Sequence, residues 1–142
     1  MTIEFTVPGR PVPMARPRVT AHGTYTPKRC RDYKTAVALA AKAAMKGQEP
    51  LTGAVHIILQ FAFAIPKSWP KKKRLNGGLV WHTARPDLDN LSKSVTDALI
   101  GIVYKDDSQI ISANIEKTYA EKDGVRVAVE EVPDMEKYFG EA

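Results

Sequence analysis

Asp87 and Asp89 stand two residues apart, directly after Arg85-Pro86 and at the mouth of a segment whose apolar residues recur at helical spacing. Two carboxylates in that position can converge on one hard cation while the backbone is still extended. Magnesium takes oxygen ligands and keeps several waters, so two or three aspartates plus the oxygens of a phosphate would hold it. Lys93 follows Asp89 by four residues, one turn along the same face, where its ammonium could lie beside a scissile phosphate. Further carboxylates, Asp106 and Asp107, arrive where the chain leaves this helix for the next strand. Each feature also has a plain structural alternative. An aspartate ahead of a helix is commonly an N-cap, Asp89 with Lys93 is an ordinary i,i+4 pair worth about 0.3–0.5 kcal/mol, and Asp106-Asp107 suits a solvated turn.

Charge laid out ahead of these aspartates gives them a phosphate context. The 142 residues carry a net charge of +5, but the signs are divided: residues 1–86 hold fifteen Lys or Arg and three acids, residues 87–142 six Lys or Arg and thirteen acids. A basic portion of this strength attracts polyanions and would bind nucleic acid with salt-dependent affinity. Its cations fall in two stretches. Arg10, Arg16 and Arg18 lie in a proline-rich arm at about 8–27, continued by Lys28 and Arg29. Lys71, Lys72, Lys73 and Arg74 lie in a basic loop at about 66–86, expected to be flexible, that ends with Arg85. A solvated surface is the alternative for the lysine run.

With 44% hydrophobic and 26% charged residues, the chain can bury a core as one globular unit spanning 1–142, which excludes collagen-like and wholly disordered classes. A lone cysteine, Cys30, forms no internal disulfide and removes any Cys-rich zinc site. His22, His56 and His82 show no paired metal spacing; His56 sits in a strand pattern and reads as structural, the other two as loop residues. No apolar run approaches the roughly 20 residues needed to cross a bilayer, and Met1-Thr2-Ile3-Glu4 lacks a basic-then-apolar leader. The expected location is the cytoplasm, on the nucleoid when DNA is bound, with no membrane partner.

Several elements must position the charged groups. Alternation of Ile3, Phe5 and Val7 predicts a strand at about 2–8. Five prolines in 8–27 argue against a helix or a central strand and predict an extended arm. Thr26 as N-cap and Pro27 as the first helical residue open an alanine-rich helix to Lys46, with Gly47 to end it and Tyr33, Val37, Ala40, Ala44 and Met45 as its apolar stripe. Val55, Ile57, Leu59, Phe61, Phe63 and Ile65 alternate over a length that suits a central strand. Leu88, Leu91, Val95, Leu99 and Ile102 form the apolar side of a second helix, with Asp89, Lys93, Thr96 and Asp97 opposite. Two more strands, about 109–119 and 125–132, flank Asp123-Gly124, a hairpin signal, and a short acidic tail follows. The fold expected is α+β: a single small domain with a mostly antiparallel or mixed sheet and two main helices.

Asp87-Leu88-Asp89-Asn90-Leu91-x-Lys93, then Asp97-Ala98-Leu99, then Tyr104-x-Asp106-Asp107-Ser108-Gln109-Ile110, resembles the signature of the RusA-type Holliday junction resolvases, often prophage-encoded. Pro11-Val12-Pro13 through Arg16-Pro17-Arg18 to Tyr25-Thr26-Pro27 is similar to the amino-terminal pattern of the phage-type branch. The resemblance implies a homodimeric, magnesium-dependent endodeoxyribonuclease, with manganese as an alternative ion. Such an enzyme resolves four-way DNA junctions in recombination and repair by paired phosphodiester hydrolysis, leaving 5′-phosphate and 3′-hydroxyl ends. By the same resemblance Asp87, Asp89 and Asp107 are the metal ligands and catalytic carboxylates, Asp107 by the register of Asp-Asp-x-Gln, and Lys93 is the essential lysine. A metal-activated water would attack while Lys93 offsets the developing charge. A two-fold dimer would offer one active centre to each of two strands. Three aspartates sharing a site repel without a cation, so metal should stabilise the fold. Two other readings compete: a metal-dependent nuclease of other DNA or RNA structures, and a non-catalytic DNA-binding module.

Overall fold

Val55, Ile57, Leu59, Phe61 and Phe63 are each at most 1% exposed, so the period-2 run becomes the apolar spine of the molecule. A computed structural model describes residues 1–16, 18–70 and 80–134, with the backbone alone for Arg18. In chain order the elements are β1 (Thr2–Pro8), β2 (Arg18–Thr20), β3 (Gly23–Tyr25), α1 (Lys28–Met45), β4 (Val55–Ala64), α2 (Leu88–Ala98), a 3-10 turn (Asp107–Gln109), β5 (Ile110–Ala120) and β6 (Gly124–Glu131). Four strands make one sheet in the order β1-β6-β4-β5, and β2 with β3 makes a small ribbon. The α+β class with two helices and a mixed sheet stands as expected. One contiguous core joins the inward residues of β1, β4 and β6 to Val37, Ala41 and Met45 of α1 and Leu91 and Val95 of α2.

The expected 109–132 hairpin does not form. β4 lies between β5 and β6, parallel to the first and antiparallel to the second. Crossing one intervening strand requires about 10 Å, and the four Cα steps from Ala120 to Gly124 can span roughly 13 Å, so the short turn suffices. Asp123 serves the strand beneath it: its Oδ1 accepts from the Ala64 amide at 2.7 Å. Gly124 is required by close approach, since a Cβ there would stand 3.3 Å from the Val7 carbonyl oxygen. The parallel β4–β5 pair needs a long crossover, and that crossover is the segment that holds α2.

Other expectations shift in detail. Pro27, and not Thr26, is the N-cap of α1, with no side-chain cap; the Cys30 and Arg31 amides donate to the Pro27 carbonyl instead. The buried stripe of α1 is Cys30, Tyr33, Val37, Ala41 and Met45, while Ala40 and Ala44 are half-buried at its margin. Leu88, expected on the inner side of α2, is 37% exposed because it lies in the first turn, outside the covered stripe. The arm is no free extended segment. Pro11 and Val12 are buried, the Met14 amide donates to the Asn90 carbonyl at 2.9 Å, and β2 and β3 form its tip. In the loop read as flexible, Val80, Trp81 and His82 dock on the edge of β5: Tyr119 N donates to Val80 O, and His82 N to Lys117 O. Lys71, Lys72, Lys73, Arg74 and the tail beyond Asp134 lie outside the described residues. Among the described residues, no helix is long and apolar enough to cross a membrane.

Candidate active site

Helix α2 begins where Pro86 can no longer donate an amide and Asp87 is still extended, at φ −71° and ψ 146°. Asp87 therefore occupies the N-cap position, yet its carboxylate makes no capping hydrogen bond. The ordinary structural role of an aspartate at this place is not taken up. Asp89, in the first turn, is exposed, as is Lys93 one turn further. The two form no ion pair: among the described residues the only salt bridges are Lys28–Asp32 and Glu4–Arg126. Both carboxylates and the ammonium are thus free of hydrogen bonds and ion pairs within the described chain. Leu91, Val95 and Leu99 are wholly buried behind them and fix the helix rotation that turns the polar face outward.

The loop entering α2 is clamped from the sheet. Lys117, on β5, extends its Nζ to the carbonyl oxygens of Ala84 and Pro86, both at 2.8 Å. This holds the residues on either side of Arg85 and the one before Asp87. Sequence reading missed Lys117, since its partners lie more than thirty residues away and no local motif marks it. His82 was also missed. Its ring stacks on Phe63 at 4.1 Å and tilts against Tyr119 at 4.8 Å. Burial, then the nearby charges of Lys117 and Arg10, hold its pKa below the usual imidazole value.

Asp106 and Asp107 differ sharply in what they do. The Asp106 carboxylate accepts from the Ser108 amide at 3.1 Å and caps the 3-10 turn, and hydrogen bonding from the Ser108 side chain, then from its amide, lowers the Asp106 pKa. Gln109 completes the capping box: its Oε1 accepts from the amides of Lys105 and Asp106, and its Nε2 donates to the carbonyls of Leu51 and Gly53. The Asp107 side chain, exposed on the same turn, has no hydrogen bond or ion pair among the described residues. Tyr104 is wholly buried beside it, with its hydroxyl donating to the Thr96 carbonyl at 2.6 Å. Burial, then the carboxylates of Asp107, Asp97 and Asp106, raise the Tyr104 phenol above its ordinary range. Asp107 is consequently a neighbour of the C-terminal end of α2.

This separates it from the other two aspartates. An 11-residue helix is about 16 Å long, with Asp87 and Asp89 at its N-terminal end and Asp107 near the last turn, where Tyr104 meets Thr96. Among the described residues, no three His, Cys, Asp or Glu side chains are close enough to share a metal ion. The single chain brings Asp87, Asp89 and Lys93 onto one short stretch and leaves Asp107 apart. Asp89 and Lys93 line an open depression with Leu88, Ser92, Thr96 and Ile115. Asp87 lines another, of about 380 Å3, with Arg10, Arg29 and Arg85.

Of the remaining candidate DNA contacts, Arg16 is exposed, Lys28 is paired with Asp32 at 3.3 Å along α1, and Arg18 is placed by its backbone in β2. A β4–α2–β5 crossover with exposed carboxylates at the helix mouth and arginines beside them suits a protein that handles phosphodiesters. Comparison with known proteins identifies which: residues 8–130 match the pattern of the family Endodeoxyribonuclease RusA, and the chain belongs to that family. It is 36% identical over 138 residues to the uncharacterized protein YqaN of Bacillus subtilis (strain 168), covering 92% of this chain and 96% of that protein. It is also 42% identical over 53 residues to the crossover junction endodeoxyribonuclease rusA of Lactococcus phage r1t, covering 37% of this chain and 40% of the phage protein.

Proposed function

We propose that this protein is a structure-selective endodeoxyribonuclease that resolves four-way DNA junctions, acting as a homodimer with magnesium. The observation that carries this reading is a set of charged side chains left unpartnered in the segment that bears the family pattern. Asp87, Asp89 and Lys93 decline the N-cap and the i,i+4 pair that would have explained them, and Asp107 stands free beside an Asp106 already used as a cap. That contrast favours Asp107 over Asp106 as the third carboxylate.

The donor set suits a hard cation, since exposed carboxylate oxygens are what magnesium or manganese prefers. Asp87 and Asp89 would hold it, with Asp107 as the third ligand. When bound, such an ion neutralises charge on the phosphate and acts as a Lewis acid. Lys93 directs its ammonium at the phosphate as negative charge builds, and Lys117 keeps the entry to α2 in place. Because Asp107 sits towards the opposite end of α2 from Asp87 and Asp89, and no three carboxylates cluster among the described residues, a second copy would supply the carboxylate that completes the set. Leu88, Ile115 and the 61% exposed Ile111 lie beside Asp89 and on the edge strand β5, ahead of the 117–119 stretch that Val80 to His82 cover, and supply an apolar surface for such a copy.

Cleavage of a four-way junction, linear duplex, flap and single strand, compared with magnesium at one salt concentration, tests the reading beside an Asp89→Asn control. The junction should be cut in preference, and Asp89→Asn should abolish cutting while junction binding is retained. Equal cleavage of all four substrates points to a general nuclease; no cleavage with tight binding points to a binding module. Sedimentation of the free protein checks the dimer.

A further inference from the structure

We propose that the depression lined by Arg10, Arg29 and Arg85 is a phosphate subsite that takes a phosphodiester of the substrate strand next to the one addressed by Asp87 and Asp89. The identity of its occupant rests on the endonuclease reading; the anion-binding character of the pocket does not.

Three guanidinium groups from three separate parts of the chain line this one cavity of about 380 Å3: Arg10 from the arm, Arg29 from α1 and Arg85 from the loop before α2. None of them has a carboxylate within salt-bridge distance among the described residues. The Arg10 guanidinium lies 5.2 Å over the Phe63 ring. The lining sets three cations against a single carboxylate, an excess that a bound anion would offset. Arginine is suited to this task because its planar fork can donate two parallel hydrogen bonds to phosphate oxygens.

The convergence is prepared in advance, since each contributing segment is tied down. The Met14 amide bonds to Asn90 O at 2.9 Å, Cys30 Sγ to Pro13 O at 3.4 Å, and Lys117 Nζ to Ala84 O and Pro86 O. Those bonds join the arm to α2, the arm to α1 and the Arg85 loop to β5. Pre-organised donors lose less conformational freedom on binding. Asp87 is the one acid in the lining, so the pocket keeps an excess of positive charge and lies directly beside that carboxylate. Pro13, Met14 and Pro86 add apolar wall that a bare phosphate ion would not use but the sugar of a nucleotide would cover. The ligand class is therefore a phosphate borne on a nucleoside.

The test is binding without hydrolysis, in EDTA, by titration calorimetry with 5′-phosphorylated thymidine dinucleotide and, separately, inorganic phosphate. The wild type should bind the dinucleotide, and Arg29→Gln and Arg85→Gln should each weaken binding about tenfold. Lys42→Gln, an exposed cation at the far end of α1, should leave it unchanged. Melting temperatures confirm that the variants are folded. Equal weakening by Lys42→Gln shows non-specific charge and overturns the subsite, as does failure of the wild type to bind. Inorganic phosphate bound as tightly as the dinucleotide overturns the nucleoside part. Junction cleavage is measured in parallel: if it is absent while dinucleotide binding follows the expected pattern, the endonuclease reading fails and the pocket stands.

Discussion

Replacing Gln109 by alanine probes how the protein fixes the turn that carries Asp107. The Gln109 amide makes four hydrogen bonds, donating to Leu51 O at 2.9 Å and Gly53 O at 2.8 Å and accepting from Lys105 N at 2.8 Å and Asp106 N at 3.0 Å. A net hydrogen bond contributes about 0.5–1.5 kcal/mol. Three of these four are exposed, so water can replace the lost partner and the lower figure applies to them. The sum is about 2 kcal/mol, or about 6 °C in melting temperature for a chain of this size. Gln109→Glu should also destabilise, because it sets a carboxylate oxygen against the Leu51 and Gly53 carbonyls in place of the donor and adds a charge beside Asp106 and Asp107. Urea denaturation gives the free energy. Junction cleavage, run where both variants are folded, should fall further than stability does, since the turn that aims Asp107 is loosened. A free energy within about 0.5 kcal/mol of wild type would show that the backbone of the turn holds itself and would refute the reasoning.

Leu91→Ala should destabilise by about 2–5 kcal/mol in denaturant unfolding, because a wholly buried side chain that seats α2 is removed and a cavity is left; a loss under about 1 kcal/mol would mean that the site closes up around it. Lys117→Met removes two 2.8 Å charge-assisted bonds to the Ala84 and Pro86 carbonyls and should cost about 2 kcal/mol, with a larger proportional loss of cleavage; unchanged cleavage would remove Lys117 from the positioning of Asp87. The folded pKa of His82 lies below its unfolded value of about 6.5. The unfolded chain therefore takes up the proton first, so this group's contribution is complete above about pH 6.5 and is lost as pH falls towards the folded value. His82→Phe should keep the stack on Phe63 and reduce the difference in melting temperature between about pH 7.5 and pH 5.5; identical pH slopes in both proteins would show that His82 is not its source.

Most of the elements were legible because their signals are local. The β4 alternation, the inner stripe of α2 and the strand at Thr2–Pro8 each repeat a period that a single face of one element demands. The hairpin was misread because Asp123-Gly124 signals only that the chain turns, and says nothing about which strand lies between the two it joins. The arm was misread because prolines exclude a ladder without excluding burial, and Val12 and Pro11 found cover beside α1 and α2. At the site, spacing selected Asp87, Asp89 and Lys93 and the Asp-Asp-x-Gln register selected Asp107, while side-chain geometry added that Asp106 is a cap and Asp107 is not one. Lys117 had no sequence signal, since an isolated lysine in a strand looks the same whether it points to water or to two carbonyls.

By itself the sequence determined the element types, the strip of apolar residues that makes the core, and the residues that belong together chemically. All of these follow from periodicity, charge and spacing along one covalent chain. Tertiary structure alone decided that β4 parts β5 from β6, that three arginines from distant segments meet beside Asp87, and that Asp107 forms no three-carboxylate cluster with Asp87 and Asp89 among the described residues. The physical reason is common to all three. Each depends on a distance through space between groups far apart along the chain, and packing of the whole core sets that distance, where local backbone preference has no say.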